Sequence, residues 1–244
     1  MVWSKWDLGW PWMGLGAALV ILVLMFATDV MRSRTAVSRW WDPVWLSWLA
    51  VPMYLLHIFE EYSHDVLGRV YFIVGGVCAA QGYPPYPDCP IPTLHYPLVN
   101  IALVWVAAPI AAYLSRRNIV IGLTFFGFIL FNGVFHIVTV LLQGSDAYPG
   151  VVTGILLFVP ISLWVIYVCL KSGVMNAKAL AVSYAGGIAG HLGLVLTYSI
   201  FNATGSPAAM FAADIGCVSL PFLVAGLGSK LLGAQATTRA LGAR

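Results

Sequence analysis

Charge is the scarcest property of this chain. Only 9% of its 244 residues are Asp, Glu, Lys or Arg, whereas 61% are hydrophobic and the mean hydropathy is +0.89. A soluble globular domain is about 25% charged, so that class is excluded. The 12 Lys and Arg residues are scattered through loops. That distribution sets nucleic-acid binding aside and leaves orientation in a membrane as their reading. The start, Met1 to Trp12, lacks a charged leader region and a small-residue cleavage site, so the first apolar span is expected to be retained. There are only five histidines and four cysteines, and no extended His-rich pattern of the kind that di-iron membrane desaturases carry.

What is present is long apolar runs. The expected fold is all-α, a polytopic transmembrane helix bundle in a single domain over 1–244. About seven spans are expected, at 9–31, 43–64, 97–115, 119–143, 149–170, 178–201 and 207–229. Val70 to Ala80 is apolar but too short to cross. Arg32, Arg34, Arg39, Arg116, Arg117, Lys171, Lys178, Lys230, Arg239 and Arg244 fall on one side of such a bundle and only Lys5 and Arg69 on the other. The positive-inside rule then puts the N-terminus outside and the C-terminus in the cytoplasm, and the expected location is the plasma membrane of a prokaryote. Trp3, Trp6, Trp10 and Trp12 make an outer aromatic belt, and Trp40, Trp41, Trp45 and Trp48 an inner one.

The longest loop, 65–96, then lies outside. Its five prolines between Pro84 and Pro92 make a stiff, non-helical cover. Cys78 and Cys89 both lie in it, in an oxidising space, and are expected to form a disulfide. Cys169 and Cys217 sit in spans as apolar filler. Gly186 and Gly190 make a small-residue face for close helix packing. His64 and His95 are placed near the outer surface in solvated roles.

The chemistry concentrates in His57-Ile58-Phe59-Glu60-Glu61-Tyr62-Ser63-His64, where four titratable side chains interrupt the second span. Ionisable groups in a bilayer are costly unless paired, metallated or wetted, so they mark a site. His57 and Glu61 are an i, i+4 pair able to share an ion or a proton. Counted from the inner ends of their spans, His57, His136 and His191 rise to about 21, 25 and 18 Å, a similar depth on three helices. Asn132 precedes His136 by one turn and faces the same way, to orient a ligand, bind substrate or join helices. Asp214 is a further acid on the seventh span. Asp146, Tyr148, Pro149 and Gly150 read as a turn and helix start.

At His57-Ile58-Phe59-Glu60-Glu61, Asn132-Gly133-Val134-Phe135-His136 and Tyr148-Pro149-Gly150, the chain resembles the HXXEE-motif family of integral membrane proteins, over roughly 43–200. That resemblance implies a suspected membrane enzyme and no established activity. His57, Glu61 and Asn132-Gly133 are also similar to the pattern of the emopamil-binding, sterol-isomerase-like proteins. Glu60, Glu61, His136 and His191 follow the order of the type II CAAX-type intramembrane proteases. There, however, Asp65 stands where an Arg is expected and Val195 where an Asn or Asp is expected.

Three readings follow. In the first, His57, Glu61, His136 and His191 hold a divalent metal, zinc favoured over iron, with Glu60 as acid/base and Asn132 beside it. The protein is then a hydrolase or oxidoreductase, among membrane lipids, acting on a lipophilic small molecule that enters from the bilayer. In the second, a metal-free isomerase or cyclase, Glu60 or Glu61 protonates an olefin while Phe59, Tyr62, Phe131 and Phe135 stabilise a cation. In the third, a proton-coupled carrier or receptor, Pro160 and Pro221 break helices near the midplane.

Overall fold

The computed structural model describes residues 3–143 and 149–232; Asp146, Tyr148, Arg239 and Arg244 lie outside them. The fold is all-helical, with no strands among the described residues beyond one isolated bridge between His64 and Val70. Eight helices carry it: α1 Lys5–Ala27, α2 Pro43–Tyr62, α3 Phe72–Ala80, α4 His95–Leu114, α5 Ile119–Leu142, α6 Val151–Ser172, α7 Ala177–Thr204 and α8 Pro207–Leu231. Local chemistry sets their ends. The side chains of Ser4, Asp42, Asn118, Asn176 and Ser206 accept from the first free N–H groups of α1, α2, α5, α7 and α8. Gly173 and Gly205 close α6 and α7 in the left-handed conformation that glycine tolerates.

Six helices, α1 and α4 to α8, are long and apolar enough to cross a membrane, so the chain has the character of an integral multi-pass protein. Seven spans were expected. The difference is α2, which has the length but is diluted by His57, Glu60, Glu61 and two prolines. It is enclosed by other helices. All its residues except Trp48, Leu56 and Phe59 are buried, and it packs against α1, α4, α5 and α6. Its start is anchored by Asp42, a fully buried carboxylate that accepts from Ser33, Arg34, Val44 and Trp45.

Proline perturbs three helices without stopping two of them. A wider, π-helical stretch spans Ile101–Ala107 in α4, just before Pro109, and another spans Gly154–Phe158 in α6, just before Pro160. Each proline removes an N–H and crowds the preceding turn, which the extra residue relieves. In α8 the helix is interrupted at Val218 and Ser219, immediately ahead of Pro221.

The segment between α2 and α4 is a tethered cover. Cys78 at the end of α3 is disulfide-bonded to Cys89 in the proline-rich run, with Cα atoms 6.1 Å apart, as expected. Tyr86 donates to Ile91 O, and the Tyr83 hydroxyl donates to Asn202 Oδ1 on α7. Asp65 accepts from the backbone N–H groups of Leu67 and Arg69 and from the Arg69 guanidinium at 2.6 Å. Burial raises the Asp65 carboxyl, but these donors outweigh it and hold it below the usual carboxylate range.

Glycines set the closest helix contacts. Gly186 and Gly190 face Pro221 of α8, where a Cβ would lie 2.8 Å from its carbonyl oxygen and 2.7 Å from its ring. Gly187 meets the α5 backbone at Thr124 and Phe128, and Gly127 of α5 meets the backbone of Tyr184. Across the same crossing the Thr124 hydroxyl donates to Ser183 O, and the Ser183 hydroxyl donates to Val120 O. Gly187→Leu should therefore push α5 from α7 and lower stability by about 3 kcal/mol or more, read as a lowered thermal midpoint. Gly9→Leu, where nothing lies within 4 Å of a Cβ, is the neutral control.

Candidate metal centre

The centre forms where the last two turns of α2 meet α5 and the start of α6. Four residues make just over one helical turn, so His57 and Glu61 point the same way. His136 comes from α5. One oxygen of Glu61 lies 3.1 Å from His136 Nε2 and the other 3.4 Å from His57 Nε2. All three residues are buried, His57 completely. One ligand atom from each lies within 4.8 Å of the others, so the trio could hold a metal ion.

A second ring of contacts fixes this trio. The Thr153 hydroxyl is 2.7 Å from His57 Nδ1 and 2.6 Å from Glu60 Oε2. A carboxylate only accepts, so Thr153 donates to Glu60 and receives from His57 Nδ1–H. This assignment leaves His57 Nε2 as a bare lone pair, with no hydrogen-bond partner and a carboxylate oxygen in front of it. Two electron-pair donors facing each other in a buried site call for a cation or an added proton between them. The residues fit a metal on a second count. Ligands about 2.05 Å from a tetrahedral zinc lie about 3.3 Å from one another, and each imidazole Nε2 stands at about that distance from one of the two Glu61 oxygens.

Glu60 has a different task from Glu61. Its oxygens accept from the N–H groups of Val152 at 3.1 Å and Thr153 at 2.9 Å. It thus caps α6, where free N–H groups and the helix dipole favour negative charge. The residue singled out from the sequence as an acid/base is engaged on both oxygens.

Gly150 closes the centre from above. Its φ of 89° is left-handed, and a Cβ there would lie 2.6 Å from His57 Cε1 and 2.8 Å from His136 Cε1. Sequence reasoning took Gly150 as a turn residue and passed over Thr153; the Pro149-Gly150 helix start was the one available signal.

The remaining candidates lie elsewhere. His191 stands outside the ligand-distance trio, its ring among those of Phe128, Phe131 and Phe135 with centroids 5.0, 5.0 and 6.3 Å away. The donor set brought together is thus two imidazoles and one carboxylate rather than three and one. Asn132 is buried on the face toward α2, its Nδ2 3.4 Å from the Tyr54 hydroxyl, one turn from His136. His64 is exposed and bonds Ser63. His95, expected in a solvated position, is instead fully buried, because it opens α4 and turns into the bundle.

Residues 48–165 match the family model described as "Protein of unknown function with HXXEE motif". No curated protein and no solved structure matches the chain. The matched span contains His57, Glu60, Glu61, His136, Gly150 and Thr153, and leaves out His191. Residues 48–165, which hold every part of the centre, are thus similar to the HXXEE-motif family over just under half of the chain.

Proposed function

We propose that His57, Glu61 and His136 bind one divalent metal ion, zinc in preference to iron, and that the protein is a membrane-embedded, metal-dependent enzyme acting on a lipophilic substrate. The observation that carries this reading is the buried lone pair of His57 Nε2, held toward the Glu61 carboxylate by the Thr153–Glu60 relay. Two histidines and one carboxylate are a ligand set that leaves coordination positions open, as catalytic zinc and non-haem iron sites do. A metal bound there would supply Lewis acidity toward a polar group of the substrate. The chain's own residues do the rest. Thr153 fixes the His57 tautomer, Glu60 anchors Thr153 to the start of α6, Gly150 closes over the two imidazole edges as only a residue without a Cβ can, and the surrounding helices exclude bulk water. Phe135, half-exposed beside the His136 ring, supports entry of the substrate from the bilayer.

The test is elemental analysis of protein purified without chelator. About one zinc or iron per chain is expected, and none in His57→Ala. A metal-free protein that takes up neither ion at micromolar concentration contradicts the reading. The second reading, a metal-free acid–base isomerase, draws on the 3.1 Å separation of Glu61 and His136, which also suits a hydrogen bond. Under it, chelators leave activity unchanged.

Thr153 separates positioning from ligation. Thr153→Val should weaken metal binding about 10–100-fold, the usual effect of losing a partner that orients a ligating histidine, while Thr153→Ser should stay near wild type. Competition with a chromogenic chelator measures both.

We also infer that the N-terminus and the disulfide-bonded cover lie outside and the C-terminus inside, in the plasma membrane of a prokaryote. The split of Lys and Arg supports this orientation. A C-terminal reporter active only outside the cytoplasm is the contrary result.

A further inference from the structure

A second buried polar group lies apart from the metal centre, on three other helices. His95 opens α4, Tyr198 lies on α7 and Asp214 on α8. His95 Nδ1 is 2.9 Å from Asp214 Oδ2, and His95 Nε2 is 2.9 Å from the Tyr198 hydroxyl oxygen. The side chains of His95 and Asp214 are fully buried. Tyr198 and Asp214 fall outside the stretch that matches the HXXEE family.

The order of these groups is that of an acid–base relay. A carboxylate accepts only, so the proton of the neutral imidazole sits on Nδ1 and Nε2 receives the phenol's O–H. Carboxylate, imidazole and hydroxyl in that order are the parts of a relay in which the imidazole takes a proton from the hydroxyl and the carboxylate steadies the resulting cation. A group that merely joins helices needs one bond between neighbours and satisfied oxygens. Here three helices converge on one imidazole, and Asp214 Oδ1 is buried without a hydrogen-bond partner. In the state just described the group carries one uncompensated negative charge, since among the described residues no lysine or arginine pairs with Asp214. That arrangement is costly inside an apolar bundle, and one added proton removes the charge.

Four titratable neighbours of the trio stand among the described residues. They are the Tyr96 ring on α4 at 5.2 Å from the His95 ring, Tyr62 on α2 beyond it, Tyr86 in the cover within 3.4 Å of the Tyr96 hydroxyl, and Cys217, whose thiol donates to the Asp214 carbonyl. The trio sits beneath the cover. One turn beyond Tyr198, Asn202 is held by Tyr83 and Gln81.

We propose that Tyr198, His95 and Asp214 form a second, metal-independent acid–base site that takes up a proton from water at the covered end of the bundle. A hydronium ion gives its proton to the Tyr198 oxygen and leaves as water. The phenol passes its own proton to His95 Nε2. The product is an intact phenol and an imidazolium paired with the Asp214 carboxylate, so no oxidant or further reactant is needed.

Histidine-selective ¹⁵N NMR of the full-length protein in lipid nanodiscs tests this, with His95→Gln to assign the signal. The expected wild-type result is a reversible change of His95 from the Nδ1–H tautomer to imidazolium as the pH falls. Tyr198→Phe, which removes one oxygen, should slow that exchange at least tenfold, and Asp214→Asn should abolish the imidazolium. Zinc or chelator should leave the His95 signal unmoved, which keeps the result independent of the His57, Glu61 and His136 centre. A His95 signal that holds one tautomer throughout the pH range of the folded protein overturns the proposal and makes the trio a structural joint. So does a signal that Tyr198→Phe leaves unchanged, and this variant decides the matter alone if Asp214→Asn does not fold.

Discussion

Gly150→Ala should disable the metal centre without touching any residue that ligates. Two penalties act together. The backbone is left-handed at φ 89°, and the new methyl carbon would lie within 2.8 Å of a ring carbon on both His57 and His136. The conformational cost alone is about 1–2 kcal/mol, and overpacking adds about 1–3 kcal/mol. Because the atoms to be displaced are the ligand rings themselves, the expected result is a fall of at least tenfold in metal affinity together with a lowered thermal midpoint. Gly173→Ala and Gly205→Ala are matched controls. Both glycines are left-handed, at 67° and 64°, and both have open space around a Cβ, so they carry the conformational cost and no collision. If Gly150→Ala binds metal and melts like these two, the roof over the imidazoles has no functional weight.

Glu61→Gln should have the larger effect on the ion and the smaller effect on shape. Glu61 is the one carboxylate in the trio and touches both imidazoles. Losing a partner that merely orients a ligand costs 10–100-fold in metal affinity, so losing the charged ligand itself should cost more than about 100-fold. His57→Ala should do the same, whereas Glu60→Gln should keep the ion and lower stability by about 1–3 kcal/mol, because an amide group would then face the N–H donors of α6. Isothermal titration with zinc, beside thermal melts, separates these outcomes. Retention of wild-type zinc affinity in Glu61→Gln would sink the metal reading, and an acid–base role for the trio would take its place.

The parts of the centre that could be read from the sequence are those governed by local periodicity. An i, i+4 spacing put His57 and Glu61 on one face of α2, and Asn132 four residues before His136 aligned both with α2. Cys78 and Cys89 were paired by sharing one loop. What could not be read depended on rotation about a helix axis or on distant chain. A depth count set His191 level with His57 and His136, but height says nothing of azimuth, and the ring stands among phenylalanines outside the ligand-distance trio. Glu60 and Glu61 are about 100° apart around α2, enough for one to serve the trio and the other the start of α6. Thr153 joins His57 from 96 positions away, beyond any sequence window. His95 was placed outside because it ends a loop, although the first turn of a helix can point inward.

The composition of α2 also bears on how the protein is made. Charged residues at the middle of an isolated helix raise its insertion cost by about 2.5–3.5 kcal/mol each, and α2 carries two carboxylates near one end. The partners that satisfy them, His136 of α5 and the N–H groups of Val152 and Thr153, emerge from the ribosome 75 or more residues after Glu61. During that interval the nascent chain holds an unfinished polar helix, and the shelter available is α1, already synthesised and packed along it in the finished fold, joined by α4 as that helix emerges. Membrane integration of the helix that bears the motif is therefore a collective event, completed only when α6 arrives.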